Sequence, residues 1–233
     1  ALETSVVASV NRWRQVEHPS LLPIDELIVE TERYYVISPY VAGISWHTLA
    51  RDNHWRPPVG LILLWLEQLC LLLHALEPHR PDLNLAFVAP QHLMSTTSGL
   101  AMLIDHGLTS LVAPTEFGPY GSITGYAAPE LARSQPTLQS DIYTLGRCIA
   151  ALLTHRSLEN TSGTPPISLP GLDKAAQSAI KQVLTAMLAQ DPAKRADSVQ
   201  VLLERVQKAH ARVPNLDESD WIAHSLRPVV SDS

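Results

Sequence analysis

The sequence predicts a mainly α (α+β) domain. Long apolar stretches with helical spacing dominate it, short β-type runs are few, and Pro- or Gly-containing breaks separate the segments. Residues 6–16 place Val6, Val10, Trp13 and Val16 on or near one helical face, and His18-Pro19 ends that helix because the residue before proline avoids the α conformation. Leu21–Ile28 and Arg33–Ile37 read as two short strands around the polar turn 30–32. A connector over 39–43 leads to a short helix capped by Ser45 and running to about Arg51. After Pro57-Pro58 comes the most apolar helix, Gly60–Leu76. Short strands are expected at Leu85–Val88, Leu93-Met94 and Leu100–Ile104, the last two joined by a Ser- and Gly-rich turn. A second long apolar helix spans Asp141–Leu153, and residues 154–170 are mostly loop. Amphipathic helices at 172–189 and 196–211 flank Asp191-Pro192, and Trp221 marks a tail that docks somewhere.

Composition narrows the function classes. A chain of 233 residues with 45% apolar and 17% charged side chains can bury a real core and is not a disordered segment. The formal charge of −6 argues against nucleic-acid binding, since such a chain offers few cations to displace phosphate counterions. Residues 60–76 are too short and too interrupted by Glu67, Gln68 and His74 for a span of about 20 residues, so no membrane insertion by this segment is expected. Cys70 and Cys148 sit in apolar helical patterns, which points to buried thiols and a reducing, cytoplasmic location; spacing alone leaves a disulfide open. The chain starts at Ala1 rather than Met, the mark of a fragment or a processed chain.

The specific motifs lie in the second half. Gly125-Tyr126-Ala127-Ala128-Pro129-Glu130 precedes Gln139-Ser140-Asp141-Ile142-Tyr143-Thr144-Leu145-Gly146, and Asp191-Pro192-Ala193-Lys194-Arg195 follows. Upstream stand Glu17-His18-Pro19-Ser20-Leu21-Leu22, Tyr34-Tyr35-Val36-Ile37 and Tyr40-Val41-Ala42-Gly43. On these residues the chain resembles the eukaryotic-like Ser/Thr protein kinase superfamily in a degenerate form, a bacterial-type large lobe with a truncated small lobe. The resemblance implies a protein-kinase-like fold. Residues 1–43 are a remnant of the N-lobe (helix C, two or so strands and the hinge), 44–212 a helical C-lobe, and 213–233 a C-terminal tail. It also implies structural roles: Glu130 pairs with Arg195 in a buried bidentate contact, and Asp141 accepts backbone N–H bonds at a helix start.

The resemblance also sets a register for the catalytic positions. Leu103-Ile104-Asp105-His106-Gly107 resembles the metal-binding Asp-Phe-Gly segment, with His106 in place of Phe. Ala89-Pro90-Gln91-His92-Leu93-Met94 resembles the end of the catalytic loop, which puts Phe87 at the catalytic Asp, Ala89 at the Lys and His92 at the Asn. Phe87 cannot take a proton, and an imidazole suits Mg²⁺ less well than an oxygen donor. Ser9 stands at the helix-C Glu and Ile123 at a Thr that usually bonds the catalytic Asp. No glycine-rich loop or Lys strand is present in the chain. Only Asp105 survives, as a residual metal-ligand position. A rival catalytic loop, His79-Arg80-Pro81-Asp82, reads better as a solvated insertion.

These substitutions point to a pseudokinase acting as a scaffold or regulatory module, with no catalytic residue, no nucleotide or metal cofactor, and another protein as partner. The segments 108–124 and 154–170, with Trp221, are the candidate contact surfaces. The alternative is a divergent ATP-binding kinase or nucleotide-dependent transferase using Asp105.

Overall fold

A computed structural model describes residues 2–31, 33–52, 55–108, 125–214 and 221–223. Helix α1 (Leu2–Trp13) buries Val6, Val10 and Trp13. It stops short of residue 16 in tightened turns, where Gln15 N–H meets Arg12 O and Val16 N–H meets Trp13 O, both at 3.1 Å. Strands β1 (Glu26–Glu30) and β2 (Arg33–Ile37) form an antiparallel ribbon with Ile28 opposite Tyr35. The first strand therefore starts at Glu26 rather than Leu21. Pro23 has no N–H for a ladder, and the chain before it pairs elsewhere: Leu22 N–H bonds Leu103 O at 2.9 Å and Leu103 N–H bonds Ser20 O at 2.8 Å.

Strand β3 (Gly43–Ser45) runs into helix α2 (Trp46–Arg51), whose first turn is capped by Ser45 Oγ accepting Thr48 N–H. β3 pairs with β4 (Leu93–Thr96), and β4 with β5 (Ala101–Leu103), giving a three-stranded antiparallel sheet in the order β3-β4-β5. Gly99, at φ +84°, allows the tight β4–β5 turn. The expected strand at 85–88 is instead a turn closed by Val88 N–H on Leu85 O at 3.0 Å. Its apolar residues face the core as single anchors, so burial without a β-ladder misled the pattern reading.

Helix α3 (Val59–Leu76) is the central pillar, packed against α4 (Leu138–Thr154) and α6 (Val199–His210). By length and composition it could cross a membrane, so length does not decide the matter; burial does, since Leu61, Trp65, Leu66, Leu69, Leu72 and Leu73 are sealed in the core. Its polar residues are partnered too: Gln68 Oε1 accepts Ala101 N–H at 2.7 Å, and Glu67 Oε1 lies 2.6 Å from His210 Nδ1. Cys70 and Cys148 are free, buried thiols, Cys70 pushed up to about 12 by desolvation. Helix α5 (Lys174–Leu188) approaches α4 at Gly146, where a Cβ would come within 2.8 Å of Met187 Cβ. A column of indoles joins the parts: Trp46 stacks on Trp65 at 5.7 Å, and Trp65 meets Trp221 edge-on at 6.1 Å. The half-buried Trp221 ring thus docks on the domain itself.

One ion pair fastens the helical body. Arg195 Nη1 and Nη2 donate to Glu130 Oε1 and Oε2 at 2.6 and 2.8 Å, and Ser140 Oγ adds a bond to Oε1 at 2.9 Å. Arg195 also donates to the carbonyls of Ala189, Gln139 and Gln190 and stacks 4.7 Å over Tyr143. Burial pushes the Glu130 carboxyl up, but the bonds from Arg195 and Ser140 outweigh it and hold the carboxyl below its usual range. Glu130→Ala leaves the Arg195 guanidinium buried and unpaired, with an expected loss of about 3–5 kcal/mol in chemical denaturation. Because the native carboxyl is lowered, its contribution is complete at neutral pH and fades as pH falls through that lowered value. The gap between wild type and variant should shrink below about pH 4. A change under about 0.5 kcal/mol at pH 7 would contradict the pair's role.

Candidate functional site

The residues at the expected catalytic positions come together where the 85–92 turn meets the segment after β5. Asp105 follows β5, and its Oδ1 accepts Gly107 N–H at 2.8 Å, an Asx-type turn that bends the chain at Gly107, φ +69°. Its Oδ2 lies 4.0 Å from His92 Nε2. His92 caps the turn before β4: its Nδ1 accepts Ala89 N–H at 3.1 Å, which leaves the ring proton on Nε2, facing Asp105. Burial lowers the His92 pKa, with Asp105 and a backbone hydrogen bond opposing, so the imidazole is neutral at pH 7.

Phe87 fills the centre. Its ring is 7% exposed, tilts against His92 at 6.1 Å between centroids, and lies so close to Gly107 that a Cβ there would sit 2.7 Å from Cδ1. The backbone of Gly107 and the Phe87 ring therefore share one contact surface that any larger residue would break. Ala89 is fully buried beside them. His106 points away from this group. Its Nε2–H donates to Leu22 O at 2.8 Å, and its ring meets Trp13 of α1 edge-on at 5.4 Å. Burial lowers its pKa as well. Ser9 is half-buried on α1, and no hydrogen bond links it to these residues among those described.

Among the described residues no group of three or more His, Cys, Asp or Glu could hold a metal ion. What the cluster offers is one carboxylate, one neutral imidazole held by a backbone amide, and an apolar ring between them. Residues 109–124, with Ile123, lie outside the described residues.

Beneath the turn lies a second buried charge. Asp141, in the first turn of α4, is completely buried, and Arg80 Nη2 donates to its Oδ2 at 2.5 Å. Desolvation raises the Asp141 carboxyl to about 6, against the opposing pull of Arg80 and the Leu85 backbone N–H. The His79–Asp82 segment is therefore not a merely solvated insertion: the Arg80 side chain is only 17% exposed. Asp82, by contrast, sits at the surface 3.3 Å from Arg12.

Sequence reasoning also passed over Arg147. It is 1% exposed within α4 and donates to the carbonyls of Gly125, Leu158, Thr161 and Gly163 and to Thr161 Oγ1, pinning the loop after α4. The available signal was a lone charge inside an otherwise apolar helical run.

Arg80→Ala strands the Asp141 charge in the core, and should cost about 3–5 kcal/mol at pH 8. A carboxyl whose native pKa is raised gains a proton on folding, so the deficit should narrow at pH 5, where Asp141 is neutral. Urea denaturation at the two pH values reads this directly. An equal deficit at both would show that Arg80 does not act through Asp141.

No family model matches the chain. It is 28% identical over 209 residues to the Ser/Thr protein kinase PknG of Mycolicibacterium smegmatis, covering 85% of this chain and 26% of that protein. It is 24% identical over 199 residues to the Ser/Thr protein kinase PrkC of Bacillus subtilis, covering 79% of this chain and 30% of that protein. The chain thus spans between a quarter and a third of the length of these relatives. The solved structure described as the PpkA-294 apo form superposes with a TM-score of 0.67 at 16% identity, over 87% of this chain and 74% of that one, which speaks to fold alone. Along most of its length the chain is thus similar in sequence to bacterial Ser/Thr protein kinases, and its fold is similar to that of the PpkA-294 structure.

Proposed function

We propose that this chain is a catalytically inactive pseudokinase domain working as a protein-binding or regulatory module in the cytoplasm. The observation that carries the reading is Phe87: an apolar ring packed on Gly107 stands where the kinase reaction needs a carboxylate to orient the substrate hydroxyl.

The surroundings do not fit a magnesium nucleotide either. Asp105 keeps one oxygen on Gly107 N–H, and His92 spends Nδ1 on Ala89 N–H and turns a ring N–H toward Asp105. Mg²⁺ takes oxygen donors in near-octahedral geometry, and this pair supplies a single carboxylate. Ala89 brings no cation to a transferring phosphate. By contrast, the contacts that hold the large lobe are all present: Glu130 with Arg195, and Asp141 with Arg80. Retained scaffold beside lost chemistry favours binding over turnover.

A protein partner suits the small β-ribbon, which exposes apolar side chains on both of its faces, Val29 and Val36 on one and Tyr35 and Ile37 on the other. Val29, Val36, Tyr35 and Ile37 are 37–42% exposed, and Tyr40 just beyond is 90% exposed. Apolar side chains grouped this way on one short element are a feature of interaction surfaces.

Calorimetric titration with Mg-ATP should give no saturable heat up to about 1 mM, a Kd near −4.1 kcal/mol of binding free energy. A thermal-shift series should leave the unfolding temperature unchanged. Micromolar binding would argue for the alternative, a divergent nucleotide-dependent enzyme. Phosphotransfer abolished by Asp105→Ala would overturn the pseudokinase reading.

A further inference from the structure

A cleft of about 830 Å³ opens between the start of α3, the end of α4 and the loop that follows α4. None of Phe87, His92 or Asp105 lines it. Arg56, Arg147, His155 and Arg156 do, and no Asp or Glu is among the described residues that line it. For a chain with a net charge of −6, this is a local reversal of sign.

The four basic groups occupy different levels. Arg147 forms the floor, its guanidinium held by carbonyl and hydroxyl oxygens alone, so its dipolar bonds are satisfied while its charge meets no carboxylate in those contacts. His155 sits at the end of α4 in a left-handed conformation, φ 49°. Its Nδ1 is buried without a hydrogen-bond partner among the described residues. Burial and the adjacent Arg56 charge both lower its pKa. Arg56 and Arg156 are exposed at the mouth. The nearest acidic residue along the loop, Glu159, is turned to Arg51, 3.0 Å away.

We infer that this cleft binds a phosphorylated peptide segment of a partner protein, with Arg56 and Arg156 holding the phosphate monoester at the mouth. Planar guanidinium forks suit the oxygens of a phosphate dianion, and the cationic floor favours it over a neutral ligand. Peptide rather than free phosphate follows from size and lining. The cleft is in the range of sites for whole ligands, and its loop wall, with Ser162, Thr164, Ser168 and the rigid Pro165-Pro166 pair, offers hydroxyls and an extended apolar edge for flanking residues. The inference rests on the binding-module reading and names its partner chemistry.

Fluorescence anisotropy can test it with a labelled pool of heptapeptides, random except for a central phosphoserine, and the same pool carrying serine. The phosphorylated pool should bind at least tenfold more tightly than the serine pool and than free phosphoserine in competition. Binding should weaken as salt rises. The double variant Arg56→Ala, Arg156→Ala should lose at least tenfold in affinity. Both side chains are exposed, so an unchanged unfolding temperature checks that the fold is intact. Arg156→Lys, which keeps the charge without the fork, should fall between. Equal binding of both pools, competition by free phosphoserine at the same concentration, or full affinity in the double variant would each overturn the inference. Since the Mg-ATP experiments read a different set of residues, phosphotransfer abolished by Asp105→Ala would overturn the pseudokinase reading without touching this result.

Discussion

Arg195 is the point at which the large lobe is tied together. Its guanidinium takes both oxygens of Glu130 from the segment before α4, the Gln139 carbonyl from the first turn of α4, and the Ala189 and Gln190 carbonyls after α5, with the Tyr143 ring below. The stretch from Glu130 to Tyr143 and the stretch from Ala189 to Arg195, far apart in sequence, thus share one charge. A buried guanidinium is costly unless every direction is answered, so the segments hold one another in place. Arg147 repeats the device for the loop after α4, using carbonyls rather than a carboxylate. Arg80 repeats it a third time for the turn that carries Phe87, by gripping Asp141. The helical body is an apolar pillar, α3, surrounded by elements pinned at three arginines.

This arrangement holds the kinase-like lobe in shape independently of the residues at the expected catalytic positions. None of the three arginines depends on a group at the expected catalytic positions. Phe87 contributes to packing, through Gly107 and His92, at the very place where a charged residue would have to stay hydrated. His106 likewise serves as a wedge between Trp13 and the Leu22 carbonyl. The side chains at the expected catalytic positions make structural contacts, and the surfaces proposed above for binding lie elsewhere on the molecule.

Much of this was readable from residue order. Helical periodicity located α3 through α6 to within a few residues, and Ser45 announced the start of α2. The Pro-Glu and late Arg motifs anticipated a pairing that the geometry displays between Glu130 and Arg195. Errors fell where burial and backbone pairing part company. The apolar run 85–88 looks like a strand because its side chains are buried, yet they are buried from a turn. Leu21 and Leu22 look continuous with β1, yet Pro23 diverts them to Leu103. The docking that Trp221 suggested is, by contrast, seen in the structure, against Trp65 of its own domain.

The sequence by itself determined the helical layout and the class of fold, because periodicity is a local property. Only the tertiary structure decided where the lone charges go. Arg80 and Arg147 read as a loop residue and an oddity in a helix until Asp141 and the carbonyls of the 158–163 loop are brought to them. The cationic cleft is equally invisible in order of residues, since Arg56 and the 155–156 pair are nearly a hundred positions apart and meet only through packing. Electrostatic environment depends on distance in space and on burial, and neither is written along the chain.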